Sequence, residues 1–481
     1  METLYWHDYE TSGTDPRFDR PMQFAGIRTD TDLNVIGEPL MIYCKPSDDF
    51  LPHPQASLIT GLTPQKAAEL GVNEAAFIER IHQELSQPGT CGVGYNSLRF
   101  DDEFTRFTLF RNFHDAYARE WQNGNSRWDI IDMVRLTRAL RPEGINWPDN
   151  EQGKPSFRLE ALTAANQIEH TGAHDALADV YATIEIAKKI KFAQPKLYHF
   201  VFQHRRKHQV APLLNWQDQK PVIHVSRMYP AEYCSTAMVV PLAPDPTNKN
   251  AIIVYDLRYD PEHVIQLDAD TLRERLFTST HELSADQPRP ALKTIHLNKC
   301  PIVVPVKTLD DAAAQRLQID LKVHQANLQK LQATPNLRAK LSQIFTPPEF
   351  APVTDPEASL YSGGFFSDRD KQHMATIRQS TPAQLQGLTL PFEDVRLAEL
   401  LFRYRARNWP DTLTSEEQEV WLTYRQQRLA HHTHPAILNF ERFDEAIAVC
   451  RQQIDAIEQH QILDALADYA EKLRQSLAFN D

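Results

Sequence analysis

The sequence predicts an α/β protein in three successive parts: a mixed α/β region to about residue 190, a small β-barrel, and a helical end. Three observations predict it. Strand-like and helix-like apolar patterns alternate through the first 190 residues. Short β-rich segments separated by Pro/Asp/Asn turns, such as APDPTNKN, come next. A proline-rich stretch, FTPPEFAPVTDP (Phe345–Pro356), then precedes long runs of helix formers. At 481 residues the length is that of about three domains.

In order, Leu4–Thr11 reads as the first strand, and Met22–Thr29 and Val35–Cys44 as two more, joined by the polar turn TDTDLN. Glu74–Leu85 has apolar residues at helical spacing, and Thr90–Tyr95 is a short apolar strand. Helices are expected at Phe104–Phe113, Asp129–Leu140, Arg158–Asn166 and Ala173–Ile190. The character changes near Ala193–Pro195. A basic stretch, His204–His208, precedes short strands at Pro221–Ser226, Ala237–Pro241, Ala251–Leu257 and Thr294–Leu297. Ala312–Phe345 reads as helix. Beyond the proline-rich stretch, Thr414 and Glu417 form a capping box ahead of VWLTYRQQRL, and Phe440–Phe479 is a long run of helix formers.

Composition is that of a soluble globular chain, 42% hydrophobic and 24% charged. The N-terminus lacks a basic region followed by an apolar run, and no apolar run is long enough to span a bilayer. The five cysteines (Cys44, Cys91, Cys234, Cys300, Cys450) are scattered and odd in number, which predicts reduced cytosolic thiols rather than a disulfide framework or a zinc site. The net charge of −13 argues against generic nucleic-acid binding, which is electrostatic. A metal-dependent nuclease must nevertheless gather carboxylates at its site, and a basic lining can coexist with an acidic exterior.

Four acids and a histidine in three distant segments carry the chemistry. Asp8 and Glu10, two apart on the first strand, would face the same side, and a cation would relieve their repulsion. The plain alternative is an exposed polar strand face. Asp101 follows the strand Thr90–Tyr95 where a helix begins, but Asp101, Asp102 and Glu103 are all equally available to complement that helix dipole. His174 and Asp179 lie five apart at the head of a late helix, and Asp175 competes with Asp179 because it is four residues away on the same face. Converging, these groups would form a carboxylate nest for divalent cations with an imidazole beside it, an arrangement suited to phosphodiester hydrolysis.

D-x-E on the first strand, then N-x-x-x-F-D, then H-x-x-x-x-D on a late helix resembles the DEDDh 3′→5′ exonucleases. HDYET, GYNSLRFDDEFTR, NSRWDIIDM, LRPEGINWP, PSFRLEALTAAN, HDALADVYATI, LNKCP, YSGGFF and LLFRYRARNWPDTL resemble the bacterial exodeoxyribonuclease I family, essentially end to end. The resemblance implies an RNase H-like exonuclease domain with a mixed sheet (1–190), an SH3-like β-barrel domain with helices (195–347) and an all-helical C-terminal domain (351–481). It implies processive 3′→5′ degradation of single-stranded DNA to 5′-mononucleotides, in DNA repair and recombination, by a cytoplasmic monomer. Asp8, Glu10, Asp101 and Asp179 would bind two Mg2+ ions, with Mn2+ able to substitute, and His174 would be the general base. Arg158, with Glu10, would contact the substrate near the cleaved end.

Single-stranded DNA with a free 3′ end would run in a channel between the three domains. Arg106, Tyr117, Trp121, Arg135, Phe200, Lys207 and Lys293 are the matching positions for strand contacts, with Lys299 a further candidate. Stacking aromatics and phosphate-tracking cations give tolerance of sequence. Tyr117 and Trp121 also have the i, i+4 spacing of a helical core pair, and Phe200 stands where the family pattern has tyrosine. The basic run Arg205–Lys207 could equally be a solvated helix face. The family binds the acidic C-terminal tail of single-stranded-DNA-binding protein, for which Lys220 is the candidate, although Asp310 and Asp311 stand where a more basic stretch is expected. Two other readings remain: a DEDDh exoribonuclease trimming RNA 3′ ends, which the length beyond residue 195 opposes, and a non-catalytic single-stranded DNA-binding protein, which the full set of five site residues opposes.

Overall fold

The computed structural model describes residues 2–170, 175–279, 281–284, 287–346 and 353–477. The chain divides into two compact units. One comprises Met1–Ser126, Thr171–Tyr181 and Ala351–Asp481; the other comprises Arg127–His170 and Ala182–Phe350. Among the described residues no helix is long and apolar enough to cross a membrane.

The first unit is organised by a mixed sheet. Strands β1 (Thr3–Thr11), β2 (Pro21–Thr29), β3 (Leu40–Tyr43) and β4 (Thr90–Gly94) lie in the order β3-β2-β1-β4. β1 pairs antiparallel with β2, opposing Asp8 to Ala25 and Glu10 to Gln23, and parallel with β4 from Thr3/Thr90 to Trp6/Val93. The pleat sorts the side chains of β1 onto two faces. Tyr5 and Tyr9 join Phe24, Phe77, Ile78, Ile81, Leu85 and Leu109 in a core under the Glu74–Leu85 helix, which begins and ends where the spacing predicts. Asp8 and Glu10 therefore share the opposite face, and a register irregularity after Glu10 ends the regular pairing with β2.

The expected strand Val35–Cys44 is shortened to β3. Gly37, Glu38 and Pro39 interrupt it, and Val35 keeps only an isolated bridge to Thr29. Helices at Pro54–Thr60 and Pro64–Leu70 carry proline in their first turn, a helix-start signal the apolar spacing does not show.

The C-terminal helices of the first unit close over this α/β layer. Phe107, Phe110 and Phe113 pack with Leu360, Met374, Ile377, Leu397, Leu400 and Tyr404. A buried ionic network runs alongside. Arg407 donates to Asp49 (2.8 Å) and to both oxygens of Glu357; Arg20 reaches Glu357 (3.3 Å), and Arg111 grips Glu74 at 2.8 and 3.0 Å. Burial pushes Asp49 and Glu357 up, but Arg407 and its neighbouring arginines outweigh it and hold both carboxyls well below the usual range. Thr414 and Glu417 form the expected capping box at the start of Ser415–Ala430. The run Phe440–Phe479 is two helices, Phe440–Arg451 and Ile457–Ser476.

β5 (Ser126–Asp129) is a short buried strand where the chain passes between units. The second unit holds an antiparallel sheet of β6 (Val222–Val225), β7 (Thr236–Pro244), β8 (Ala251–Asp256), β9 (Leu292–His296) and β10 (Val303–Pro305), in the order β10-β6-β7-β8-β9. Its core includes Val222, Ala237, Val239, Val254, Ile295 and Val303. The helix expected over Ala312–Phe345 is three: Asp311–Arg316, Leu321–Ala333 and Leu337–Ile344. Gln318 and Asn336 adopt left-handed backbone at the two breaks, and Pro335 reinforces the second.

Candidate active site

Asp8, Glu10 and Asp179 come together. Each offers a carboxylate oxygen, and the three oxygens lie within 4.8 Å of one another. The strand pleat supplies the first two, and the Ala176–Ala193 helix supplies the third from its first turn. Asp101 lies beside this set of three, near enough for its charge to act on Asp8 and Glu10, and is placed by a different device. β1 and β4 stop pairing at Trp6/Val93, so the N–H of Tyr9 needs an acceptor, and Asp101 Oδ1 accepts it at 3.0 Å. Asn96, in left-handed backbone (φ 63), turns the chain between β4 and the Asp101–Arg111 helix.

The ambiguities of the sequence resolve. Of the three acids at the start of the Asp101–Arg111 helix, Asp101 accepts from the backbone of β1. Asp102 is paired with Arg119 at 2.6 Å, and Glu103 with Arg106 at 2.7 Å. Asp175 is the cap of the helix that carries Asp179: its Oδ1 accepts from the N–H groups of Leu177 and Ala178. Its Oδ2 accepts from the side-chain amide of Gln23 at 3.4 Å, and that amide also donates to the Tyr43 hydroxyl at 3.0 Å. Gln23 escaped the sequence reading, and its position opposite Glu10 on the neighbouring strand is the signal that identifies it. His7, beside Asp8 in sequence, lies on the other face, its ring centroid 6.4 Å from that of Tyr9 and 6.0 Å from that of Phe24. His174 lies outside the described residues.

Electrostatically the cluster is frustrated. Burial and then the charges of Asp101, Glu10, Asp179 and Asp175 drive Asp8 well above its ordinary value. Burial, then Asp179, Asp101 and Asp175, pushes Glu10 up to about 9. Carboxylates this close repel in a site that solvates them poorly, and a hard divalent cation removes both penalties at once. An all-oxygen donor set of this kind fits such a cation.

The remaining predicted contacts are placed as follows. In the first unit, Arg106 is buried and committed: it donates to Glu120 (2.7 and 2.8 Å), Glu103 and the Tyr361 hydroxyl, and its guanidinium lies 5.5 Å from the Tyr117 ring centroid. Tyr117 and Trp121 are not a helical core pair. They open successive single 3₁₀ turns, and Trp121 is 65% exposed. In the second unit, Arg158 precedes the Leu159–Ala165 helix with its side chain 78% exposed, 3.6 Å from Glu160. Arg135 pairs with Asp132 (2.6 Å), and Phe200 stacks on His204 at 3.9 Å. Lys207 donates to Asn250, and Lys293 donates to Ser226 above the Tyr229 ring. Lys299 and Lys220 are exposed, with Lys220 3.8 Å from Asp218. The run Arg205–Lys207 is not one solvated face, because Arg205 is buried with its guanidinium 3.7 Å from the Phe202 ring centroid. Asp310 has a structural use as the cap of Asp311–Arg316 and the partner of Arg141 (3.0 Å).

The half-buried carboxylate cluster on one strand and one helix of a mixed sheet suits a metal-dependent hydrolase, and an exonuclease family model matches residues 5–187. Models of the exonuclease I SH3-like domain and the exonuclease I C-terminal domain match residues 205–347 and 354–473. The chain belongs to the exodeoxyribonuclease I family: it is 48% identical to exodeoxyribonuclease I of Escherichia coli, over 98% of each sequence. Its structure is similar to a moderately thermophilic exonuclease I from Methylocaldum szegediense (TM-score 0.94, 50% identity, 98% of this chain and 100% of that one). It is equally similar to E. coli exonuclease I in complex with a dA16 oligonucleotide (TM-score 0.94, 48% identity, 98% of this chain and 100% of that one).

Proposed function

We propose that this protein degrades single-stranded DNA processively from its 3′ end, releasing 5′-mononucleotides by metal-dependent hydrolysis. The observation that carries the reading is the convergence of Asp8, Glu10 and Asp179, with Asp101 coupled to them, on one face of the sheet. Similarity across 98% of the chain to an exodeoxyribonuclease I supports DNA over RNA as substrate.

Asp8, Glu10, Asp101 and Asp179 would hold two Mg2+ ions, or Mn2+ in their place. The chemistry such cations supply is stabilisation of the charge that develops on the phosphoryl oxygens. His174, five positions before Asp179 in the sequence, accepts the proton of the attacking water, a task that suits an imidazole. Arg158 and Glu10 orient the terminal nucleotide. Tyr117, Trp121 and Phe200 offer stacking surfaces to bases, and Arg135, Lys207 and Lys293 the cationic contacts; Arg106, buried and bound to Glu103 and Glu120, would act by supporting the Tyr117 ring. Lys220 offers its ammonium to the acidic tail of single-stranded-DNA-binding protein. The division into residues 1–190, 195–347 and 351–481, a monomeric state, a cytoplasmic site of action and a part in DNA repair and recombination complete the reading.

Labelled single-stranded DNA, duplex DNA and RNA, each offered with Mg2+, test it directly. Mononucleotides should be released from the 3′ end of single-stranded DNA alone, and Asp179→Ala should stop the release. Preference for RNA would replace this reading with an exoribonuclease, and binding without cleavage by the wild type would leave a binding protein. His174→Ala should keep cation and DNA binding while turnover falls on the order of 10²–10⁴-fold, the usual worth of a positioned acid–base group. Loss of cation binding in that variant would make His174 a ligand instead.

A further inference from the structure

The Asp101–Arg111 helix begins with three consecutive acids, and only the first reaches the carboxylate cluster. The second makes the most deeply buried ion pair near it. Asp102 is 2% exposed and accepts from Nη2 of Arg119 at 2.6 Å, with the Arg119 side chain 1% exposed. Arg119 belongs to a single 3₁₀ turn, Ala118–Glu120, that has no regular pairing to fix it. It is held from outside: Glu120 binds Arg106, and Asn125 donates from its side-chain amide to the Arg119 carbonyl at 3.3 Å. The Asp102–Arg119 pair is thus a strut between this turn and the first turn of the helix, one residue from Asp101.

From this geometry we infer that Asp102 and Arg119 are positioning residues that hold the Asp101 carboxylate in register with Asp8 and Glu10, and so set the cation affinity of the site. The inference rests on the metal-dependent reading above. Asp101 itself accepts from the Tyr9 N–H, and Phe100, which precedes it, has irregular backbone (φ −128, ψ −78) and provides no side-chain cap. The first side chains of the helix therefore share in fixing its start, and Asp102 grips a partner whose side chain is 1% exposed. Glu103 cannot replace it, because it faces Arg106 and the Tyr361 hydroxyl. Outer groups that orient ligands typically contribute 10–100-fold in metal affinity.

Mn2+ titrated calorimetrically into the DNA-free full-length protein tests the inference, with kcat and KM on an oligothymidylate as the second measurement. Asp102→Asn keeps the shape and removes the charge; Arg119→Lys keeps the charge and gives up the planar fork. In whichever variant melts cooperatively, Mn2+ affinity should fall 10–100-fold. The kcat should fall at limiting metal and recover at saturating metal, with KM for the strand unchanged. A folded variant with wild-type Mn2+ affinity and wild-type metal dependence of kcat overturns the inference, since a merely structural pair would lower stability alone. A wild-type protein that takes up no Mn2+ fails the metal-dependent reading itself, a different result from the first.

Discussion

Asp8→Asn should abolish nucleotide release and, in the same protein, stabilise the metal-free fold. The two effects have one origin. Asp8 sits where burial and four neighbouring carboxylates oppose its ionisation. Without a cation, ionising it costs folding free energy that an amide of the same shape does not incur. In the proposed reaction that charge would hold the cation. A ligand carboxylate contributes to several kcal/mol of transition-state stabilisation. At 1.36 kcal/mol per decade its loss is worth on the order of 10³-fold in kcat. Thermal melts in a chelator should place Asp8→Asn above the wild type, and melts with added Mg2+ or Mn2+ should narrow or invert the order. A variant less stable than wild type in chelator would show that Asp8 is held by unlike charge rather than strained by like charge. A variant retaining wild-type turnover would remove Asp8 from the reaction.

Much of this centre is legible in the sequence because it is local. The strand period places Asp8 and Glu10 on one face, and Tyr9, the residue between them, turns inward with the core. The capping box of Thr414 and Glu417 is likewise a four-residue signal. What lies beyond sequence reading is the choice among adjacent equivalent groups. Asp101, Asp102 and Glu103 share one composition and one helix turn; only the three-dimensional positions of Tyr9 N–H, Arg119 and Arg106 tell them apart. Asp175 and Asp179 are separated the same way, by which of them the helix N-terminus consumes. The break at Gln318 is a single-residue event in left-handed backbone that composition does not mark, whereas Pro335 before Asn336 marks the second. The buried ionic network is the extreme case: Arg407 and Asp49 are 358 positions apart, and no periodicity connects them.

Arg407→Leu should therefore have the largest effect on stability of any single surface-distant substitution in the first unit. Arg407 is buried, and so are both its acidic partners, with Asp49 entirely inaccessible to solvent. Replacing a whole buried network with apolar groups can be neutral, but removing one member leaves the others charged and unpaired, at a cost of about 3–5 kcal/mol. Arg20 and Arg428 remain near Asp49 and Glu357, so the loss is bounded by what they neutralise. Arg407→Lys should recover only part of it, because one ammonium cannot serve two carboxylates in the forked geometry seen here. The pH dependence follows from the sign of the shifts. Asp49 and Glu357 have carboxyls depressed below their unfolded values, so their contribution is complete above the ordinary carboxylate range and disappears as pH falls through the depressed values. Between neutral pH and about pH 5 the cost of Arg407→Leu should be constant. Below about pH 4 it should shrink, as both proteins lose the charges that made the network worth having. Urea unfolding at a series of pH values measures this. A loss under about 1 kcal/mol at pH 7 would be the size of a surface pair and would assign the docking of the C-terminal helices to their apolar contacts alone. A loss that grows on acidification would mean that the arginines, not the carboxylates, are the groups left without partners.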